Sequence, residues 1–423
     1  GIVCKNHVFT LQTKSSTYQM KEEGGFLFHN YYGPVIGDVD MSYLVCPMDR
    51  GFSGQPQEIV DRRFSLDTRL LEYSAYGTGD YRDYCLHAVY EDGSHVTDLR
   101  FVSYEVKEGK YALEGLPAMY QGEEKAETLE ITLRDEYKNL EVVLYYGVFE
   151  DLDVITRACK IINQSEEQVR LLRAYSMGLD FDNKDMDMLH FYGRHAMERK
   201  MERSPLQHGF QGVESRRGYS SHQQNPFVIL CKQDANEEYG WCYGASFVYS
   251  GNFSIQAEVS QTDLTRLTVG IQDTQFEFHL DSGESFTAPE VILSFSENGL
   301  GQLSRNYHKA IRHNLCRGKY KTERRPVLIN NWEATYFDFT PEKLVAIAKD
   351  AKELGIEMLV MDDGWFGKRD SDYSGLGDWF VNEKKLKGGL KNLVEEVNKA
   401  GMKFGIWFEP EMISEDSDLY RAH

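Results

Sequence analysis

Over residues 1 to about 300 the apolar positions recur at every second residue, the period of a strand with one buried face. In TLEITLRDEYKNLEVVLYYGV (128–148), Leu129, Ile131 and Leu133 form one stripe, and Leu140, Val142, Leu144 and Tyr146 a second. RLTVGIQDTQFEFHL (266–280) repeats the pattern with Leu267, Val269 and Ile271, then Phe276, Phe278 and Leu280. Turn sequences such as EDGSH and KEGKY separate the runs. Helical periodicity is scarce, and the pattern predicts a large antiparallel sandwich.

The period changes at LGQLSRNYHKAIRHNL (300–315), where Leu300, Leu303, Tyr307 and Ile311 share a helical face. The polar CRGKYKTERRP that follows (316–326) marks a boundary, giving a β domain over 1–315 and a second domain over 316–423. In the second, VLINNW, IEMLVM and KFGIWF are short buried strands separated by two helices. Thr340 caps the first helix with Pro341 in its first turn, and the expected buried face is Leu344, Ile347, Ala348, Ala351 and Leu354 before Gly355. The second helix presents Leu390, Leu393, Val394, Val397 and Ala400 before Gly401. A repeated βα unit implies a parallel sheet.

The three strands run out into Asn330-Asn331-Trp332, Asp362-Asp363 and Glu409-Pro410-Glu411. Polar residues at the C-terminal ends of successive parallel strands mark the ligand face of α/β folds. No glycine-rich phosphate loop follows any of them, which argues against a nucleotide. Four of the five tryptophans (332, 365, 379 and 407) fall in this region. An indole face beside carboxylates suits a sugar, whose apolar ring face stacks while its hydroxyls donate. Taken singly, each residue has an ordinary alternative. A strand-end Asp also serves as a cap or loop acceptor, and a Trp also serves as core. Metal binding by the Asp pair would leave the tryptophans without a purpose, and no His lies near in sequence.

Charge and cysteine usage narrow the partners. The chain of 423 residues carries a formal charge of −20, which disfavours nucleic acid. Its seven cysteines (4, 46, 85, 159, 231, 242 and 316) are odd in number and widely spaced, as free thiols of a reducing cytosol would be. The first residues hold too short an apolar stretch for a signal peptide, and no run has the length of a membrane span.

NNWEATYFDFTPEKL, LVMDDGWFGKRD, LGDWFVNEKKL, FGIWFEPEMIS and, upstream, SRRGYSSHQQNPF (215–227) resemble glycoside hydrolase family 36, the melibiase-like α-galactosidases. The resemblance implies an N-terminal antiparallel β-supersandwich followed by the first three βα units of a (β/α)8 barrel. It implies that Asp362 and Asp363 hold galactose hydroxyls, and that Trp332 and Trp407 line the same pocket. It also implies a cytoplasmic homotetramer, without cofactor or metal, that acts on α-galactoside oligosaccharides. In such tetramers the N-terminal domain of one subunit helps to close its neighbour's pocket. The segment FSLDTRLLEYSAYGTGDYRDY (64–84) is similar to the one involved, with Asp67 and Arg82 the candidates, an ordinary surface turn being the alternative.

Retaining glycosidases need a nucleophile and an acid/base carboxyl about 5 Å apart. In this family the nucleophile lies in a Lys-Trp-Asp motif on a later strand, and this sequence has no Lys-Trp-Asp. No residue here is therefore a catalytic candidate. The expectation is a portion of a longer retaining α-galactosidase, inactive by itself. An α-N-acetylgalactosaminidase and a non-catalytic galactose-binding fragment are the alternatives.

Overall fold

The apolar stripes at 129–133 and 140–146 lie side by side near one end of a nine-stranded antiparallel sheet, in a computed structural model that describes residues 1–46, 48 and 54–423. In spatial order its strands are Met197–Pro205, Met186–Arg194, Gln224–Lys232, Cys242–Val248, Ser285–Ser296, Val154–Asn163, Leu140–Phe149, Ala126–Asp135 and Arg100–Glu108. A six-stranded sheet is built around the long strand Val169–Phe181, and a four-stranded sheet occupies Ile2–Pro34. All three sheets are antiparallel. They share one core, in which Phe9, Tyr18, Leu129, Val142, Leu171 and Val269 are almost wholly buried.

That core encloses charge. Glu72 is fully buried and accepts from Tyr18 Oη at 2.7 Å, Tyr146 Oη at 2.7 Å and His29 Nδ1 at 2.9 Å. Arg157 stands 3.9 Å from its carboxylate and donates to the carbonyls of Glu72 and Gly178. Burial by itself would raise the Glu72 carboxyl; Arg157, His29 and Tyr18 outweigh it and hold the carboxyl at about 2.

The chain divides into two compact units, Gly1–Cys316 and Arg317–His423. The helix Gly299–Asn314 belongs to the first and packs on strands Ser285–Ser296 and Cys242–Val248. Its buried face is Leu300, Leu303, Tyr307, Ala310 and Asn314. Ile311, expected there, is instead exposed, because the 3.6-residue period carries the stripe from 307 to 310 and 314. Phe278 also departs from its expected stripe. It sits on a three-residue edge strand, largely exposed, 4.9 Å from the ring of Phe286.

In the second unit, Leu328–Asn330, Met358–Met361 and Lys403–Ile406 form a three-stranded parallel sheet in sequence order. Thr340 Oγ1 accepts from the Lys343 N–H at 3.3 Å and starts the helix Pro341–Glu353. This helix and Gly389–Lys399 pack on each other and on the sheet, burying Leu344, Ala348, Leu393 and Val397 against Leu359 and Met361. Leu354 does not join them. The helix ends at Glu353 and the turn through Gly355, at φ 87°, leaves Leu354 81 % exposed. A one-turn helix, Trp332–Thr335, follows the first strand and was not evident in the pattern. No helix among the described residues is long and apolar enough to cross a membrane.

The Glu72 cluster gives a signed pH dependence. Its folded carboxyl lies below the unfolded value, so its contribution to stability is complete above about pH 4.5 and is lost as the pH falls through about 2. Glu72→Gln is expected to destabilise the first unit by about 3 kcal/mol at neutral pH. Thermal unfolding of the variant should also lose stability less steeply than wild type between those two pH values. An equal slope in both proteins would show that Glu72 is not the group being titrated.

Candidate functional site

Parallel pairing puts the ends of all three short strands on one edge of the sheet, and side-chain hydrogen bonds then lock those ends together. Asn330 Nδ2 donates to Asp362 Oδ2 at 2.6 Å, while Asn330 Oδ1 accepts from the Trp332 N–H at 2.7 Å. The buried Asn331 accepts from the Asp362 N–H at 2.7 Å. On the other side, the Trp407 N–H donates to the Met361 carbonyl at 3.0 Å. Trp332, Asp362 and Trp407 are all half-buried here.

The two adjacent carboxylates have different fates. Asp363 is 5 % exposed and is gripped by Arg369, itself 3 % exposed, through Nε at 2.9 Å and Nη2 at 2.7 Å. Burial opposes the Arg369 charge, but Asp363 more than compensates, and the guanidinium is held above its usual range. Asp362 is not ion-paired in this way. Its Oδ1 accepts from the Asp363 N–H at 2.7 Å and its Oδ2 from Asn330. A carboxylate offers about four acceptor positions, so Asp362 retains capacity for donors from outside. Glu409, past the third strand, is pushed up by burial and by Glu411, with Arg369 opposing.

Aromatic rings support this edge unequally. Trp365 and Phe366 are buried beneath it, and Trp365 Nε1 donates to the Trp407 carbonyl at 2.9 Å. The Trp407 ring lies nearly parallel to Phe366, with centroids 6.5 Å apart. Trp332 stands outside that core cluster and contacts the edges of Tyr336 and Phe337 at 5.2 and 5.0 Å. Gly364 turns the chain between Asp363 and Trp365 at φ 102°; a Cβ there would lie 2.9 Å from Phe337 Cδ1, so glycine is required.

Asp67 and Arg82 lie in the first unit, 2 % and 4 % exposed. Asp67 Oδ1 accepts from the Tyr81 N–H at 2.8 Å and Oδ2 from Gln261 Nε2 at 3.3 Å. Arg82 clasps Asp80 through Nε at 2.9 Å and Nη2 at 3.0 Å, and donates to the Leu66 and Arg69 carbonyls. Both side chains are buried and make these contacts within their own unit. Sequence reading gives no role to Arg369 or the two asparagines, which the structure places in contact with Asp362 and Asp363. The signal for Arg369 is a Lys-Arg pair five and six residues past Asp363 in a loop that holds Gly364 and Gly367.

Comparison with known proteins agrees along the whole chain. Residues 25–281 match the glycosyl hydrolase family 36 N-terminal domain, and residues 285–423 match the melibiase family model. A bifunctional alpha-galactosidase/sucrose kinase, AgaSK, from Mediterraneibacter gnavus is 54 % identical over 98 % of this chain and 45 % of its own. The structure of the AgaSK galactosidase domain superposes with a TM-score of 0.96 at 53 % identity, covering 100 % of this chain and 59 % of that one. An alpha-galactosidase AgaA variant from Geobacillus stearothermophilus, solved in complex with raffinose, gives a TM-score of 0.94 at 48 % identity, covering 98 % and 58 %. The chain thus spans about half the length of the curated relatives it matches.

Arg369→Ala would strand a buried carboxylate. It is expected to destabilise the second unit by about 3–5 kcal/mol, and Asp363→Asn in the same background should recover part of the loss. Urea unfolding followed by tryptophan emission measures both. A single variant as stable as wild type would mean that the pair does not hold the loop.

Proposed function

The chain belongs to glycosyl hydrolase family 36, and on that premise we propose that the protein is a retaining α-galactosidase. It removes terminal α-D-galactosyl residues from oligosaccharides of the melibiose and raffinose type. The observation that carries the reading is the half-buried Asp362, with acceptor capacity to spare, at the end of a parallel strand and one asparagine away from Trp332. Asp362 accepts from hydroxyls of the galactose ring, and Trp332 and Trp407 bound the pocket. Asp363 takes part from a buried position, its charge balanced by Arg369.

Double displacement needs a nucleophile and an acid/base carboxyl separated by about 5 Å. Neither is assigned among these 423 residues. In this reading the three parallel strands are the first βα units of a (β/α)8 barrel whose later strands carry both carboxyls. The sheets of Gly1–Cys316 are the β-supersandwich that precedes it. The chemistry uses carboxylates and water, so no cofactor enters the proposal. A cytoplasmic homotetramer completes it, with seven free cysteines in support of a reducing compartment.

Kinetics on the full-length protein test the proposal. An aryl α-galactoside should be hydrolysed with retention of configuration and much faster than its N-acetylgalactosamine analogue. Asp362→Asn should lower kcat/KM roughly tenfold to a hundredfold, the loss of a charged hydrogen bond to substrate. Residues 1–423 by themselves should show no turnover. A preference for the N-acetyl substrate, an unaffected Asp362→Asn variant, or turnover by the 423-residue chain would each overturn part of the reading.

A further inference from the structure

The first unit holds a cavity of about 560 Å³, within the size range of small-molecule sites, and nothing in the proposed chemistry uses it. Most of its lining comes from the strand Phe26–Pro34, the end of Val169–Phe181 with the turn after it, and the residues around the start of Cys242–Val248, with Leu44, Leu70 and Lys232 completing it. Trp241, the one tryptophan of this unit, lines it and is 49 % exposed. A large indole left half in water is unusual for a residue with only a packing role. Tyr243 forms a fixed wall. Its Oη donates to the Tyr32 carbonyl at 2.8 Å, and its ring sits 5.0 Å from Phe181 and 4.9 Å from Phe295.

Polar heads complete the lining. Asp182, Asp185 and Lys232 are exposed around the same cavity. Asp182 accepts from its neighbour Asn183 at 3.1 Å, Asp185 has Lys184 at 3.7 Å, and Lys232 donates to Tyr239 Oη at 3.2 Å. These surface contacts are weak and leave acceptor and donor positions open to a ligand. Two carboxylates against one ammonium do not favour an anion, and the chain's charge of −20 repels one further. A planar apolar wall with both acceptors and donors at its margin suits a molecule with an apolar face and many hydroxyls.

We propose that this cavity is a second carbohydrate site, binding a neutral oligosaccharide with one pyranose ring on Trp241 and its hydroxyls on Asp182, Asp185 and Lys232. It is distinct from the strand-end group in the second unit and does not depend on the α-galactosidase reading. Its role is retention of saccharide by the first unit, without chemistry.

The 423-residue chain, labelled with 5-fluorotryptophan, tests it by fluorine NMR, with Trp241→Phe identifying the line of Trp241. Raffinose is the probe. The Trp241 line is expected to shift saturably in wild type and equally in Asp362→Asn, whose strand-end site is weakened. Asp182→Asn combined with Asp185→Asn should reduce affinity at this site about tenfold or more, with the circular dichroism spectrum unchanged. Glycerol at the same hydroxyl concentration should leave the line in place. No shift with raffinose, a linear unsaturable drift, an equal response to glycerol, or a shift produced by spermidine but not by raffinose would each overturn the proposal.

Discussion

A carboxylate buried without a partner is among the least tolerable features a fold can contain, and the second unit is organised around avoiding one. Asp363 lies two residues past the end of the strand Met358–Met361 and inside the protein. Arg369 meets it with a two-pronged grip, and the loop between them has to fold back to allow this. Gly364 makes the reversal possible, and Lys385 ties the loop down by donating to the Gly364 carbonyl at 2.8 Å and pairing with Asp370 at 2.8 Å. Arg369 balances the charge of Asp363, and Asp362 beside it keeps its outer lone pairs available. Two adjacent acids thus coexist by dividing the work, one anchoring the loop and the other facing outward.

The first unit solves a similar problem in a different setting. Glu72 lies in an antiparallel core, and its partners come from distant strands: Tyr18, His29, Tyr146 and Arg157. The cluster pins the small four-stranded sheet to the large one with directional bonds that an all-apolar interface would lack. His29 also lines the cavity that Trp241 overlooks, so the same cluster supports one wall of that space.

Much of the architecture was legible as periodicity. The stripes at Leu129–Leu133 and Leu140–Tyr146 are buried residue for residue, because each strand has a neighbour on both sides and one face in the core. Thr340, Pro341 and the glycine stops also announce the helix limits through local backbone chemistry. Legibility fails where a residue's fate depends on a partner distant in sequence or on one step of rotation. Ile311 and Leu354 have the composition of core residues but fall just outside the buried arc or past the last turn. The inequality of Asp362 and Asp363 is set by Arg369, which no periodic pattern connects to them. Asp67 and Arg82 looked like surface-turn residues among glycines, whereas long-range contacts with Gln261 and with the carbonyls of Leu66 and Arg69 draw them inward.

The central claim is that Asp362, released by the Asp363–Arg369 pair, is the galactose-binding carboxylate at the strand ends. A crystal structure of the full-length protein with bound galactose tests it most directly. The account predicts the Asp362 carboxylate within hydrogen-bonding distance of ring hydroxyls, Trp332 and Trp407 bordering the sugar, and Asp363 still gripped by Arg369. Galactose bound elsewhere, or bound at the strand ends with Asp362 turned away from it, would contradict the account.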